Sequence, residues 1–453
     1  MNDRSAARGN REPLFEPAPD WAGFDEELRR CPDAPEAGTA ADFTRFAIDG
    51  VRPERVVRPT TVQQVRRIME VAHARGLAVV PVGFGAHLGL GAGPSRPFLA
   101  LSLAALDALV DHQPANMTLT AQAGMSLAAL QAAAAAGGQW LPVDPPRPAA
   151  TSLGGLIGAN LSGPSRFSQG TVRDLLIGVT VVRADGSVAK SGGRVVKNVA
   201  GYDLGKLYCG SLGTLGIIVE ASFKLRTSPQ ARAAVRLTCA DVARAQARLE
   251  RILTAPLEPS FIELVTSVPA NGSACALVVG LAGATEDVAG QLAVLRTLVD
   301  AGDRLEEWTG DEADAAFAEL RDSRAAGEAF LGFKVSVLPT RLSAFIAALE
   351  DEATAGALSM AVQAHAGNGI VHVRVERPGP SGTPVPTHAV VERLRAAAVR
   401  LGGTLVVEYA DPSVKAGLDL WGGGMEGLHL MKRIKQTLDP RGVLSPGRYI
   451  DGI

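Results

Sequence analysis

The sequence predicts an α+β protein with two domains, and three observations support this prediction. The chain has 453 residues, more than a single hydrophobic core usually organises. Its first half has more predicted strands than helices, joined by glycine-rich connections. Its second half alternates predicted strands and helices, as in an α/β domain whose antiparallel sheet is covered by helices on one face. The glycine-rich character ends near residue 228, so we expect domains at 38–228 and 229–453.

Local patterns predict the elements of the first domain. Residues 1–37 are polar and proline-rich, and we expect them to form a loose arm. Apolar residues at helical spacing predict a helix over Val62–Arg75, which Gly76 ends before a buried strand over Leu77–Val82. Further along, the patterns predict a strand over Met117–Ala123, an Ala-rich helix capped by Ser126, a hairpin arm over Leu176–Arg183 that turns at 184–186, and a long strand-like run over Thr214–Leu225.

In the second domain, apolar runs of strand length alternate with helical patterns. The predicted strands are Ser260–Val265, Cys275–Leu281, Leu331–Leu338, Met360–His365, Ile370–Val375 and Thr404–Tyr409. The predicted helices lie near 285–301, 313–326, 341–353, 387–401 and 425–438.

Composition and charge exclude several classes of protein. The formal net charge is −2 and the basic residues are scattered, which argues against a nucleic-acid partner. The N-terminus lacks the apolar segment of a signal peptide, and the Ala-rich run from Ser126 to Gly138 is too short to span a bilayer. We therefore expect a cytoplasmic protein without a membrane span. The cysteines are too dispersed for an iron–sulfur cluster, a thiolate zinc site or a disulfide framework; they are Cys31, Cys209, Cys239 and Cys275.

Glycines punctuate one segment directly after a predicted strand. Residues Pro81–Gly89 read PVGFGAHLG, and their glycines allow a tight turn whose N–H groups point at one spot, a nest for phosphate. A Rossmann loop would continue into a helix, but Leu90–Pro97 is too rich in glycine and proline to form one. The alternative is an ordinary turn.

Three more clusters follow, at Ser152–Gly155 with Asn160–Gly163, at Lys197–Leu204 and at Gly210–Ile218. Glycine mixed with serine and threonine lets the backbone approach a large planar ligand and bond to its edges. Taken singly, each cluster is equally well explained as a turn in an irregular β domain.

In order and spacing, these clusters resemble the vanillyl-alcohol-oxidase-type FAD-binding family, which has the PCMH-type fold. Val56–Thr61 resembles the family's opening segment, Pro81–Gly89 its pyrophosphate loop, Ser152–Gly155 its TIGG-like loop and Gly210–Ile218 its GSxGTLGI signature. The resemblance covers about residues 45–226. Within the family, Gly193–Leu204 is most similar to the FAD-binding subunits of glycolate oxidases.

The resemblance implies bound FAD and a set of residues around it. Some members attach FAD through a histidine at the place of Ala86, whereas here the histidine is His87, so we expect FAD to be non-covalent. The tail Leu438–Arg448 resembles the family's usual ending, which implies that residues from about 430 to 453 return toward the FAD domain. The implied FAD-binding residues are Pro81, Gly83, Phe84, Gly85, Ala86, His87, Leu88, Ser152, Gly154, Gly155, Asn160, Gly163, Tyr202, Gly213, Thr214, Gly216, Ile217 and Ile218.

The second half resembles the C-terminal domain of FAD-linked D-2-hydroxy-acid dehydrogenases. The resemblance implies that Arg321 and Lys334 bind the substrate carboxylate, since an arginine fork suits that group. It also implies that His365, His372 and Glu408 hold a divalent metal ion, which would polarise the substrate hydroxyl.

Several positions depart from that pattern. Asn368 and Ile370 replace the Asp and Asn of the metal loop, and Tyr409 replaces the histidine expected as the catalytic base. An unperturbed tyrosine has a pKa near 10 and is a poor base. The alternative interpretation is that the two histidines are ordinary sheet residues, and that Arg321 and Lys334 are solvated charges.

We therefore expect FAD-dependent oxidation of a small 2-hydroxy acid such as glycolate or D-lactate. The alternatives are a flavin-carrying subunit that does no substrate chemistry, and an oxidase of an alcohol or a sugar acid. No cysteine cluster within the chain completes an electron path. The resemblance implies a homologous flavin subunit and an iron–sulfur subunit as partners.

Overall fold

The computed structural model describes residues 18–194, 202–269, 275–300, 304–325, 329–377 and 387–453; Lys197–Gly201 of the third glycine cluster lie outside this part of the chain. The helices of the first half are α1 (Trp21–Arg29), α2 (Ala40–Arg45), α3 (Val62–Ala74), α4 (Leu127–Ala135), α5 (Leu153–Gly158), α6 (Arg166–Gln169), α7 (Val172–Leu175) and α8 (Gly205–Tyr208). Its strands are β1 (Glu36–Ala37), β2 (Arg55–Arg58), β3 (Ala78–Val82), β4 (Phe98–Ser102), β5 (Leu109–Gln113), β6 (Thr118–Gln122), β7 (Gln139–Trp140), β8 (Leu176–Val182), β9 (Val188–Gly192), β10 (Ile217–Lys224) and β11 (Arg226–Thr227).

Helix α1 corrects the prediction of a loose N-terminal arm for the part of it that the structure describes, residues 18–37. Asp20 caps this helix by accepting a hydrogen bond from the N–H of Gly23 at 2.9 Å, and the side chain of Phe24 is completely buried. On its outer side, Glu27 accepts hydrogen bonds from Arg67 and Arg75 of the α3 region, each at 2.6 Å. The segment is polar by composition, but the burial of Phe24 and Leu28 and the bonds to Glu27 dock it.

Two sheets form most of the first half in the described residues. In the first, β2, β4 and β3 run parallel and β1 adds an antiparallel edge, in the order β1-β2-β4-β3. The second is antiparallel, in the order β5-β6-β10-β8-β9. The predicted helix α3 buries Val65 and Ile68 in a core shared with Val79 of the first sheet and Val182 of the second. The predicted hairpin of β8 and β9 is present, and the α+β class is confirmed.

The second half folds around one large antiparallel sheet. Its helices are α9 (Val242–Thr254), α10 (Thr285–Thr297), α11 (Asp311–Ser323), α12 (Leu342–Gly356), α13 (Thr387–Arg400), α14 (Pro412–Lys415) and α15 (Leu428–Leu438). Its strands are β12 (Ala231–Cys239), β13 (Phe261–Val268), β14 (Cys275–Gly283), β15 (Arg304–Thr309), β16 (Ala329–Ser336), β17 (Met360–His365), β18 (Ile370–Glu376) and β19 (Thr404–Ala410). Among the described residues, the eight strands are ordered β15-β12-β14-β13-β17-β18-β16-β19. The sequence patterns did not predict α9, β12 or β15.

The end of the chain returns to the first half. The N–H of Val79 in β3 donates to Val443, and the N–H of Ser445 donates back to Val79. The guanidinium of Arg448 then donates to the carbonyls of Leu88, Leu90 and Ala92 at 2.8–3.0 Å. The tail therefore supports the strand that leads into the first glycine loop and the chain that leaves it.

Within the ranges that the structure describes, we find no helix with the length and apolar character needed to cross a membrane.

Candidate functional site

The first glycine loop presents free backbone donors. It follows β3 directly, and Gly85 has a φ of 81°, a conformation that side-chain-bearing residues rarely adopt. Among the described residues, no atom accepts a hydrogen bond from the N–H groups of the five consecutive residues Phe84–Leu88. Outside the loop, Arg45 donates to the carbonyl of Phe84 at 2.8 and 3.0 Å, which fixes the turn. A fixed turn with unused N–H groups is suited to bind an anion such as a pyrophosphate.

The predicted glycine loops converge in space. A Cβ atom at Gly83 would lie 2.0 Å from Oγ of Ser152, so the first loop touches the second cluster. A Cβ atom at Gly213 would lie 2.5 Å from Cγ of Pro81, so the last cluster touches the first loop. The absence of side chains at these two glycines is what allows the three segments to lie this close together.

Helix α5 organises the second cluster. Ser152 caps this helix by accepting from the N–H of Gly155 at 3.2 Å, while the N–H of Gly154 donates to Ala123 of the neighbouring sheet region. After the helix, Asn160 has a φ of 49°, and a Cβ atom at Gly163 would lie 1.8 Å from the carbonyl oxygen of Asp144. The cluster thus needs its glycines for close approach of the backbone to neighbouring strands and loops.

Other members of the predicted FAD set lie in different surroundings. The hydroxyl of Thr214 donates to the carbonyl of Ser211, and the side chains of Ile217 and Ile218 are buried in the protein core. Tyr202 is 90% exposed and lies beside residues outside the described ranges. These residues remain predictions as FAD contacts.

The large sheet of the second half has a polar face as well as an apolar one. Alternate residues of a strand point to opposite faces, so Phe333 and Val335 of β16 pack in the helix-covered core while Lys334 points away from it. The same alternation applies to the neighbouring strands. We call the following five residues the polar sheet face: Glu263 of β13, Lys334 of β16, His365 of β17, His372 of β18 and Glu408 of β19.

The two histidines of this face point toward Arg324, the residue that ends helix α11. Nη1 of Arg324 donates to Nε2 of His372 at 2.6 Å and lies 3.3 Å from Nε2 of His365. The imidazole rings are 5.2 Å apart and nearly perpendicular. Nη2 of the same guanidinium donates to the carbonyl of Ser162 at 2.8 Å, which belongs to the second glycine cluster. Arg324 therefore joins the polar sheet face to the loops of the first half.

Carboxylates lie behind the histidines, on their Nδ1 sides. His365 Nδ1 is 2.5 Å from Glu263 Oε1, and both side chains are almost completely buried. His372 Nδ1 is 3.0 Å from Glu408 Oε2, and Lys334 Nζ is 3.5 Å from the other oxygen of Glu408. Burial and the neighbouring Arg324 lower the pKa of His372 to about 3, so its imidazole is neutral. Burial opposes ionisation of Glu408, but His372, Lys334 and Arg324 hold the pKa of its carboxyl below its usual range.

This arrangement does not fit a divalent metal. Glu408 bonds to the Nδ1 side of His372, whereas both Nε2 atoms point to Arg324, so the three predicted ligands do not converge. No group of three or more His, Cys, Asp or Glu side chains suited to a metal ion occurs among the described residues. The structure thus departs from the metal site that the sequence suggested, because a cationic side chain occupies the space between the histidines.

The other predicted substrate residues have partners of their own. Nε and Nη2 of Arg321 donate to the two carboxylate oxygens of Asp322 at 3.0 and 2.7 Å, so its fork is already engaged. Tyr409 is 43% exposed and lies beside the first loop, where its ring would be 3.4 Å from a Cβ atom at Gly89. Its hydroxyl donates to Asp411 at 3.2 Å. Burial and the charge of Asp411 raise the pKa of Tyr409, so it is protonated in neutral solution.

His87 lies at the junction between the first loop and the second cluster. Its Nε2 is 3.2 Å from Oγ1 of Thr151, directly before Ser152. Burial, reinforced by the charge of Arg147, lowers the pKa of His87 to about 4. Its imidazole is therefore neutral at neutral pH.

Sequence patterns missed Arg324 and Glu263. Arg324 comes three residues after Arg321, directly after the end of α11, and nothing local distinguishes the two arginines. Glu263 did leave a signal, because a single carboxylate interrupts the apolar strand Phe261–Val265. A fully buried carboxylate requires partners, and here they are His365 and Gln363.

Comparisons with known proteins agree with this geometry. Residues 53–192 match the family described as the FAD binding domain, and residues 228–449 match the C-terminal domain of FAD linked oxidases. The glycolate oxidase subunit GlcD of Bacillus subtilis is 27% identical over 87% of this chain and 88% of its own length. The D-2-hydroxyglutarate dehydrogenase of Xanthomonas citri pv. viticola is 29% identical over 91% of this chain and 93% of its own.

A shorter match and a solved structure complete the comparison. The glycolate oxidase subunit GlcE of Escherichia coli is 38% identical over 28% of this chain and 37% of its own length. A solved alkyldihydroxyacetonephosphate synthase has the same fold, with a TM-score of 0.72, 16% identity, and coverage of 94% of this chain and 84% of its own. The two family matches follow one another along the chain, and the first glycine loop lies in the first of them. The chain belongs to the FAD-linked oxidases, and its cofactor is FAD.

Proposed function

We propose that the chain oxidises a small 2-hydroxy acid, of the glycolate or D-lactate type. The observation that carries the proposal is that two surfaces lie next to each other, one suited to the cofactor and the other to an acidic substrate. One is the first glycine loop, whose free N–H groups suit the FAD pyrophosphate. The other is the polar sheet face, which Arg324 joins to Ser162 of the second glycine cluster and beside which Tyr409 contacts Gly89 of the first loop. A substrate bound between them would lie beside both the flavin and fixed positive charges.

Two cations of the second half are suited to an acidic substrate. Lys334 is 40% exposed at its side chain and is held beside Glu408, so an anionic ligand can reach it. Arg321 is mostly buried, and its fork must leave Asp322 before it can bind a carboxylate in the bidentate way. We therefore assign the first contact with the substrate carboxylate to Lys334 and keep Arg321 as a second, conditional contact.

Bound FAD would accept a hydride from the α-carbon of the substrate, while the proton of the substrate hydroxyl passes to water. The protein must orient that carbon and hold the hydroxyl. Tyr409 lies beside Gly89 of the first loop and keeps its proton at neutral pH, so we propose that its hydroxyl leaves Asp411 and donates a hydrogen bond to the substrate. This replaces the role of general base that a histidine in its place would have.

One feature favours the second candidate, a flavin-carrying subunit without substrate chemistry. The fork of Arg321 is saturated by Asp322. In that case the chain would assemble with a homologous flavin subunit and an iron–sulfur subunit and contribute only electron transfer. GlcD and GlcE are both named as subunits of glycolate oxidase, and this supports assembly for either candidate.

Anaerobic reduction of the bound flavin separates the two candidates. The purified, FAD-loaded chain is mixed with glycolate or D-lactate, and with glycolamide as a neutral analogue. We expect the acids to bleach the flavin absorbance and glycolamide to leave it unchanged. Flavin that dithionite reduces but neither acid reduces would favour the non-catalytic subunit. Equal bleaching by glycolamide would indicate an alcohol oxidase.

A further inference from the structure

We propose that Arg324 permanently occupies the position between His365 and His372 that a divalent metal ion would need, and that its guanidinium supplies the positive charge there. The part of this inference that concerns the charge and the substrate rests on the proposed function. The part that concerns metal binding stands on the geometry alone.

The space between the histidines is filled at the point of convergence. Two imidazoles that share a zinc-like ion each place a nitrogen about 2.0–2.1 Å from it. Here the two Nε2 atoms instead meet Nη1 of Arg324 at 2.6 and 3.3 Å. A nitrogen that carries hydrogens and a positive charge excludes a metal ion both by its volume and by repulsion.

The guanidinium is held in place from several directions. Nη1 contacts the histidines, and Nη2 donates to the carbonyl of Ser162 in the first half. Burial lowers the pKa of Arg324, while the surrounding carboxylates of Glu408, Glu263 and Asp144 favour its charged form. Arginine retains its charge even in such surroundings. The cation is therefore fixed by covalent attachment and by hydrogen bonds, and chelators cannot remove it.

One donor of the same guanidinium is unused. Nε of Arg324 is buried and has no hydrogen-bond partner among the described residues. Buried donors in folded proteins are almost always paired, so this atom needs an acceptor from a ligand or from water. The oxygen atoms of a 2-hydroxy acid provide acceptors of the right kind. We assign Nε as the donor to a substrate oxygen.

Metal binding measured with Co²⁺ tests the inference without any turnover. Histidine-bound Co²⁺ absorbs visible light, and isothermal titration gives the stoichiometry. We expect the FAD-loaded wild-type chain to show no Co²⁺ site that depends on His372. Arg324→Ala empties the space and should gain a stoichiometric site, which the double variant Arg324→Ala/His372→Ala should lose. Arg321→Ala is the matched control, because it removes an arginine of the same helix without emptying that space, and it should gain no site.

Two results would overturn the inference. The first is a Co²⁺ site in the wild-type chain that disappears in His372→Ala, because the guanidinium would then not exclude metal. The second is a folded, FAD-loaded Arg324→Ala that binds no Co²⁺. If Arg324→Ala does not fold, the comparison of wild type with His372→Ala still decides whether metal is excluded. Failure of substrate oxidation changes neither readout, so the proposed function is tested separately.

Discussion

Nζ of Lys415 lies 2.8 Å from Oδ1 of Asp49, so an ion pair connects the second half of the chain to the first beside the glycine loop. The same ammonium donates to the carbonyls of Gly89 and Gly91 at 2.6 and 2.9 Å. Its side chain is only 6% exposed. Three acceptors around one buried cation fix the chain that leaves the loop, which makes this contact part of the support of the first glycine loop.

Lys415→Met should therefore destabilise the protein and weaken FAD binding. Removing one partner of a buried ion pair costs about 3–5 kcal/mol, because the remaining charge keeps its burial without its partner. Urea unfolding measures the stability, and flavin retained after gel filtration measures the binding. The double variant Lys415→Met/Asp49→Asn should lose less stability than the two single losses added together. Strict additivity would mean that the pair contributes no coupling.

Gly85→Val should abolish FAD binding. The φ of 81° at Gly85 disfavours a β-branched side chain, so valine would force the backbone into another conformation. That change would redirect the N–H groups of Phe84–Leu88. The wild-type protein should be yellow and release FAD rather than FMN in acid, and the variant should be colourless. Gly290→Val, on the exposed side of α10 with open space around it, is the control and should stay yellow. A yellow Gly85→Val would remove this loop from the cofactor site.

Lys334→Met should raise KM for 2-hydroxy acids by about ten- to a hundred-fold. That range corresponds to the loss of one charge-assisted hydrogen bond, about 1.5–3 kcal/mol. Steady-state kinetics with an artificial electron acceptor give the value. An unchanged KM would mean that Lys334 does not contact the substrate and serves only its ion pair with Glu408.

Arg321→Lys distinguishes a substrate contact from a structural ion pair. A lysine keeps the charge and can still pair with Asp322, but it cannot form the bidentate contact with a carboxylate. If Arg321 leaves Asp322 to bind substrate, KM rises strongly while stability changes little. Unchanged KM in a stable variant would restrict Arg321 to the pair with Asp322.

Acidification should destabilise the protein through His87. Its folded-state pKa of about 4 is below the usual value near 6.5, so below pH 6.5 the unfolded chain binds a proton that the folded chain does not. The contribution of His87 to the free energy of unfolding is therefore fully present above pH 6.5 and is lost as the pH decreases toward 4. Between pH 7 and pH 5 this loss is about 2 kcal/mol. The free energy of unfolding, measured with urea at pH 7 and at pH 5, should differ less between the two pH values for His87→Asn than for wild type. The exposed His429→Asn is the control and should leave the difference unchanged.

Electrons should leave the chain through another protein. Affinity purification from the native host should recover a second flavoprotein or a cysteine-rich protein in a fixed ratio. A chain that purifies alone, and that reduces oxygen to peroxide at a rate typical of enzymes, about 1–1000 per second, would instead be a self-sufficient oxidase.

The sequence by itself determined the features that depend on local backbone chemistry. The glycine loops were recognisable because a positive φ or a close backbone approach requires glycine wherever it occurs, as at Gly85 and Gly83. Periodicity likewise predicted α3, which buries one face along its own length, and a short apolar run predicted β17, which is buried on both faces. Helix α1 was not predicted, because a polar segment becomes ordered only through the core that receives Phe24.

Only the tertiary structure decided the chemistry between the histidines. His365 and His372 are close in sequence, but Arg324 comes from the end of α11, Glu263 from another strand and Ser162 from the other half of the chain. Spacing suggested a metal site, since two histidines and a glutamate are suitable ligands. Ligand type does not fix what fills the space between them, because that depends on which side chain the packing of distant elements brings there. Here the packing brings a guanidinium.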